Sequence, residues 1–173
     1  MWQLLSPNRR LQRPEDITLA FLQRQGIKGI LLDIDNTLLP WRERTLTEQT
    51  RAWAGLLLSQ GIAIVLISNN RPQKVAYVAA QLGVQGVAHA RKPFAVGIKQ
   101  GLRLLGLPAS ETALVGDQLF TDVLGGNRMG LLTIWVRARS KQEFLATQVV
   151  RRAERLVVKR LEKKNKMPEE GWL

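Results

Sequence analysis

A chain of 173 residues with 45% hydrophobic side chains has room for one domain with a sizeable core. It holds no cysteine, which excludes disulfides and thiolate metal sites, and its longest central aliphatic run, residues 62–67, is far too short to span a bilayer. The formal charge is +12 and unevenly spread: three arginines give +3 to residues 1–13, eleven basic against three acidic side chains give +8 to residues 137–166, and the rest is nearly neutral.

At the N-terminus, Pro7, Asn8, Arg9 and Arg10 interrupt the apolar start, so no signal-peptide core is expected there. Pro14-Glu15-Asp16 opens a predicted helix to Gln23, with proline and acids in its first turn, ended by Gly26. A strand follows over about 28–33, then a loop through Pro40 and Trp41. Thr47 and Glu48, with Ala52, Trp53, Leu56 and Leu57, read as a helix closed by Gly61, and 62–68 as a strand. Pro72 starts a helix to Leu82, closed by Gly83. Residues 84–89 make a short, weak strand, and Pro93 starts a helix to Leu105, closed by Gly106. A strand over 112–116, a short helix over 121–129 and a strand over 131–136 complete the alternation. Strands and helices alternating with Gly and Pro at the seams predict an α/β fold, a doubly wound parallel sheet.

The expected organisation is a basic segment and helix over 1–25, an α/β catalytic domain over 26–136, and a basic helix and tail over 137–173. Within the last, 141–164 reads as one long helix. Leu145, Val149, Ala153, Leu156 and Leu161 give it a rough apolar stripe, and Arg151, Arg152, Arg155, Lys159, Arg160, Lys163 and Lys164 fill much of the remainder. Residues 168–173 read as frayed. Basic ends are an electrostatic footprint for an anionic surface, either nucleic acid or acidic lipid.

Four of the five aspartates stand at the ends of two predicted strands. Asp33 and Asp35 lie in Asp33-Ile34-Asp35-Asn36-Thr37, after the apolar run 29–32. Asp117 and Asp122 follow Ala113-Leu114-Val115. Buried carboxylates are costly to desolvate, and a chain accepts that cost mainly where a metal or chemistry uses the charge. Carboxyl ends of parallel strands gather on one sheet edge, where ligands bind, so the two clusters are expected to form one acidic metal site. Two further strand ends join it. Ser68-Asn69-Asn70 offers a hydroxyl and amides to phosphate oxygens, and Arg91-Lys92-Pro93 places a cation beside a helix N-terminus. Taken singly, each Asp reads equally as a turn or helix cap, Ser68 and Asn69 as turn residues, and Lys92 as a surface lysine. His89, the only histidine, reads as a loop or strand-end residue, and Arg128 as a substrate contact or a loop anchor.

In this order, on four successive strand ends, the motifs resemble those of the haloacid-dehalogenase (HAD) superfamily of phosphatases, over about residues 26–136. The resemblance implies a HAD-like Rossmannoid domain and a role for each matching residue. Asp33 is the nucleophile that forms an aspartyl-phosphate, and Asp35 the general acid and then the base for water. Ser68, with Asn69, binds phosphate oxygens, and Lys92 neutralises the phosphoryl group and Asp33. Asp117, with Asp33 and the Asp35 backbone carbonyl, holds Mg²⁺, a hard ion suited to oxygen ligands, and Asp122 supports the metal indirectly or through water. Thr37 fixes the loop beside the substrate.

Members of that superfamily often carry a cap domain between the first and second motifs or the second and third. Here both intervals are consumed by a helix and a strand, so no cap is expected, and an open site suits a phosphate on something large. Gly26-Ile27-Lys28, Ile67-Ser68-Asn69-Asn70, Ala90-Arg91-Lys92-Pro93 and Gly116-Asp117-Gln118 with Thr121-Asp122-Val123 and Gly126-Asn127-Arg128 are similar to the YqeG-type branch, HAD subfamily IIIA. That branch resembles the phosphatidylglycerophosphate phosphatases of mitochondria and plastids, which implies a phosphohydrolase making phosphatidylglycerol. The basic ends suit peripheral contact with an acidic membrane, and the expected location is cytoplasmic or on the cytoplasmic face of a membrane. Trp41 fits either an interfacial or a core position. The alternatives are a soluble phosphatase for a nucleotide, sugar phosphate or phosphoprotein, and an inactive scaffold that binds RNA through its basic helix.

Overall fold

A computed structural model describes residues 2–140, 145–164, 166–169 and 171. Six parallel strands form one sheet: β1 (Arg9–Leu11), β2 (Gly29–Leu32), β3 (Ala63–Ile67), β4 (Gln85–Val87), β5 (Thr112–Gly116) and β6 (Leu132–Val136), in the order β1-β6-β5-β2-β3-β4. β2 lies at the centre, with Leu31 opposite Val65 on β3 and Leu114 on β5. All four of its residues are buried, as a strand covered on both faces requires.

The pleat sorts the core into two layers. Ile30, Leu32, Ile64, Leu66 and Val115 face one side, under α1 (Leu19–Arg24), α2 (Glu48–Ser59) and α3 (Pro72–Leu82). Leu31, Val65, Ile67 and Leu114 face the other, against Ile98 of α4 (Ala95–Leu105) and Met129, which ends α5 (Leu124–Arg128). The expected doubly wound sheet is therefore the fold. Helix ends follow the sequence signals closely: Thr47 caps α2 by accepting from the Thr50 amide at 3.2 Å, and Gly83 ends α3 at φ 66°.

Several elements differ from expectation. The helix predicted to start at Pro14 is a short 3-10 turn over Pro14–Asp16. The chain then extends through Ile17, whose carbonyl accepts from the Trp53 indole at 2.9 Å, and α1 begins only after Thr18 caps it. Pro93 does not open α4; a cis Lys92–Pro93 peptide precedes it, and the helix begins two residues on, at Ala95. The short helix expected over 121–129 divides into a π-helical turn, Leu119–Val123, and α5. An edge strand that the sequence reading omits, β1, pairs with β6 and draws the N-terminal segment into the sheet. Its basic side chains are engaged within the fold. Arg9 lies 5.7 Å over the Phe21 ring, Arg10 5.3 Å over Trp135 and 3.0 Å from Glu162, and Arg13 pairs with Asp16.

The C-terminal helix α6 spans Leu145–Lys163; residues 141–144, where its start was expected, lie outside the described residues, as do the side chains of Leu145 and Val149. Of the rest of the expected stripe, Leu161 is fully buried, but Ala153 and Leu156 are exposed. The other buried position among the described side chains of this helix is a charged one, Glu154, which accepts from the Phe120 amide at 3.0 Å. Charge pairing, more than an apolar stripe, seats α6. No helix among the described residues is long and apolar enough to cross a membrane.

Candidate active site

The carboxyl ends of β2, β3, β4 and β5 converge on a cavity of about 430 Å³, lined by Asp33, Asp35, Ser68, Asn69, Lys92 and Gln118 among others. Each strand delivers its motif where the ladder stops. The Asp33 amide still bonds the Val115 carbonyl at 2.9 Å, and Asn36 then takes φ 61°, turning the chain out of the sheet. His89 and Arg91 also adopt left-handed backbone, at φ 46° and 54°. Three non-glycine residues in that conformation around one pocket mark a shape imposed by the surroundings. His89 stands at a strand end as expected, and its amide donates to the Asn70 carbonyl.

Lys92 is the hub. Its ammonium, almost wholly buried, donates to Asp33 Oδ1 and Asp122 Oδ1, both at 2.6 Å, and to the Ile67 carbonyl at 3.1 Å. Asn69 brackets the Lys92 peptide, accepting from its amide at 2.8 Å and donating to its carbonyl at 3.1 Å. The Asn69 side chain thus positions the lysine, and it also lines the pocket in which it is expected to bind phosphate. Ser68 and Asn70 turn to Asp35 instead: both donate to Asp35 Oδ2 at 3.2 Å. Lys74 of α3 forms an ion pair with Asp35 Oδ1 and also holds the Trp41 carbonyl at 3.2 Å.

Asp33, Asp117 and Asp122 are buried, with carboxylate oxygens all within 4.8 Å of one another. Three carboxylates around one small volume are an all-oxygen donor set, which suits a hard divalent cation such as Mg²⁺. The Asp35 carboxylate stands outside this trio, so only its backbone carbonyl is left for the metal role expected of it. Thr37 is buried and donates to Asp117 Oδ1 at 3.2 Å. Its hydroxyl orients a carboxylate and is absent from the pocket lining. The π-helical turn sets Asp122, whose second oxygen accepts from the Gln118 amide at 3.1 Å.

Burial pushes the Asp33 carboxyl up to about 7, against the pull of Lys92 and with a further push from Asp122. Burial also raises Asp117 well above the usual carboxylate range, although Arg151 opposes it. Burial alone would lower Lys92; Asp122 and Asp33 outweigh it and raise its pKa, so the ammonium stays charged. A site with more carboxylates than cations, held partly protonated by burial, is poised to exchange protons for a metal ion.

Gly116 shows how tight the assembly is. A Cβ there would lie 2.2 Å from Asp122 Cγ. Gly116→Ala is therefore expected to displace Asp122 from Lys92, to lower stability by about 1–3 kcal/mol and to reduce activity at least tenfold. A thermal melt beside a phosphate-release assay checks this, and wild-type values in both would show that Asp122 can move aside freely.

Sequence reasoning missed Lys74, Arg151 and Glu154. Arg151 of α6 forms an ion pair with Asp117 Oδ2 and donates to Glu154 Oε2 at 3.1 Å. An acid three residues after an arginine in a basic run was the available signal for α6; Lys74 sits in the first turn of α3 with no comparable mark.

A family described as mitochondrial PGP phosphatase matches residues 3–140. The chain is similar to "Probable phosphatase YqeG" of Bacillus subtilis, 34% identical over 148 residues, which covers 86% of each chain. It is also similar to "Phosphatidylglycerophosphate phosphatase 1, chloroplastic" of Chlamydomonas reinhardtii, 34% identical over 125 residues, covering 67% of this chain and 46% of that one. The chain thus spans about half the length of its plastid relatives. Among solved structures, a haloacid dehalogenase-like hydrolase from Brucella suis superposes with a TM-score of 0.55 at 13% identity, over 72% of this chain and 88% of that one, a likeness of fold.

Proposed function

The chain belongs to the mitochondrial PGP phosphatase family, which makes it a HAD-type phosphatase, and from that premise we propose that it removes the terminal phosphate of phosphatidylglycerophosphate through an aspartyl-phosphate on Asp33. The observation that carries the chemistry is the buried carboxylate trio tied to Lys92 at the floor of an open pocket. The intervals where a cap would be inserted hold only α2 with β3, and α3 with β4, besides loops, which leaves room for a phosphate on a bulky lipid.

In this reading an Asp33 oxygen attacks phosphorus, the bond from phosphorus to the glycerol oxygen breaks, and Asp35 gives that oxygen its proton. Asp35 then takes a proton from a water that attacks the aspartyl-phosphate, which frees phosphate and restores Asp33. Ser68, on the pocket lining, binds phosphoryl oxygens in this reading, and Lys92 keeps its charge beside both Asp33 and the transferred group. Asp33, Asp117, Asp122 and the Asp35 carbonyl would hold Mg²⁺, which when bound supplies the positive charge that lets a carboxylate approach a phosphate dianion.

The test is phosphate release, with Mg²⁺, from phosphatidylglycerophosphate, nucleotides, sugar phosphates and phosphopeptides. Preference for a soluble phosphate would replace the lipid reading, and RNA binding without hydrolysis would replace the enzyme reading. Chelation should abolish activity. Because metal entry must expel the protons that burial keeps on Asp33 and Asp117, apparent Mg²⁺ affinity should rise with pH through about 7. Calorimetric titrations at pH 5.5, 6.5 and 7.5 check this; affinity that does not change with pH would mean that neither Asp33 nor Asp117 is a ligand.

A further inference from the structure

We propose that a cationic groove beside the reaction pocket is a second anion subsite, which holds the phosphodiester of a substrate carrying two phosphates. This inference rests on the phosphatidylglycerophosphate reading, since that lipid joins a terminal monoester to a diester through one glycerol. The groove has a volume of about 990 Å³ and is lined by Arg42, Arg44, Arg71 and Lys74, with Trp41 and Tyr77. It shares Trp41, Asn70 and Arg71 with the reaction pocket, so the two form one continuous depression.

Two features separate this groove from an ordinary solvated basic face. The first is charge of a single sign. No carboxylate belongs to the lining; Glu43, between Arg42 and Arg44 in the sequence, is absent from it. Among the described residues no carboxylate pairs with Arg42, Arg44 or Arg71, whereas Lys74 is spent on Asp35. Exposed guanidinium groups around one concavity match phosphate oxygens, to which each can give two parallel hydrogen bonds.

The second feature is that the wall is pinned. Gln81 donates to the Arg44 carbonyl at 2.8 Å and accepts from the Leu46 amide at 2.9 Å. Arg51 holds the Leu46 carbonyl at 2.8 Å, Lys74 holds that of Trp41 at 3.2 Å, and Arg42 stacks 5.0 Å over the Trp41 ring. A loop fixed from α2 and α3 presents its arginines in place, so little ordering is lost when an anion binds. Lys74 links the two sites directly, because it holds both Asp35 and the loop.

The experiment compares wild type with the Arg42→Ala/Arg44→Ala double variant on three substrates. Glycerol 3-phosphate carries the monoester alone. Glycerophosphoglycerol phosphate carries monoester and diester without acyl chains. Phosphatidylglycerophosphate in neutral detergent micelles carries both phosphates and the chains. The double variant should lose about 10- to 100-fold in kcat/KM on both two-phosphate substrates and stay within about twofold of wild type on glycerol 3-phosphate. An equal loss on all three, or no loss on the two-phosphate pair, overturns the subsite. A loss confined to the micellar lipid overturns it too, since the groove would then read a surface and not the diester. If wild type hydrolyses neither two-phosphate substrate, the lipid reading fails. The subsite is then judged by calorimetric binding of glycerophosphoglycerol, which has the diester only. Binding that weakens at least tenfold in the double variant supports it, and no difference sinks it. Should the double variant melt early, Arg44→Ala alone carries the same comparisons.

Discussion

Asp33→Asn should lower phosphate release by at least about a thousandfold and leave the protein folded. An amide nearly reproduces the carboxylate in shape but cannot form the acyl-phosphate. Lys92 would not be stranded, because Asp122 at 2.6 Å and the Ile67 carbonyl at 3.1 Å remain. The pH dependence of stability gives an independent check. Burial lifts Asp33 from 3.8 to about 7. Between those values the folded metal-free protein keeps a proton that the unfolded chain has already lost, so stability falls as the pH rises through that window. The variant has no proton to keep there and should lose Asp33's share of that slope. Phosphate release, trapping of a phosphoenzyme and melts at pH 5 and 8 in chelator test both parts. Activity above a few per cent of wild type would remove Asp33 from the nucleophile's role, and an unchanged difference between the two melts would remove the raised pKa.

The site was legible in the sequence to the extent that local signals carry it. Asp33, Ser68 and Asp117 each follow an apolar run closed by a turn, Lys92 follows a short, weak strand, and a parallel sheet brings such ends together whatever lies between them. What failed to show were contacts that depend on docking. β1 is three residues, two of them arginines, and only Leu11 is buried, so it reads as a charged tail until β6 is there to pair with it. The basic helix α6 was read by its apolar stripe, but its seat is Arg151 on Asp117 and Glu154 on the Phe120 amide, an ionic fit to a site more than thirty residues away in sequence. The resemblance implies that Asn69 binds phosphate oxygens and that Thr37 fixes the loop beside the substrate. Their hydrogen bonds go to Lys92 and Asp117, roles that only three-dimensional placement distinguishes. The π-helical turn that carries Asp122 has no periodicity of its own to read.

Lys92→Met should be the most damaging single change for stability and activity together. The substitution keeps length and removes the charge, so two buried carboxylates lose a cation that stood 2.6 Å from each. Breaking a buried ion pair by removing one partner costs about 3–5 kcal/mol, and protonation of the stranded Asp33 will limit the loss. That compensation has a sign. With Lys92 gone, Asp33 loses the charge that pulls its pKa down and holds its proton more tightly in the folded state, so the variant should recover stability as the pH falls and lose it as the pH rises, more steeply than wild type. Mg²⁺ should restore part of the melting temperature, because the ion would neutralise the same carboxylates. Activity should not return with it: in the proposed mechanism the lysine faces the transferred phosphoryl group, and losing one such contact costs on the order of 10²–10³ in rate. Melts at pH 5 and 8, with chelator and with Mg²⁺, beside turnover at saturating metal, separate the two effects. A variant that melts like wild type at pH 8 in chelator would show that Lys92 does not balance the carboxylates, and turnover within tenfold of wild type would show that it does not serve the phosphoryl group.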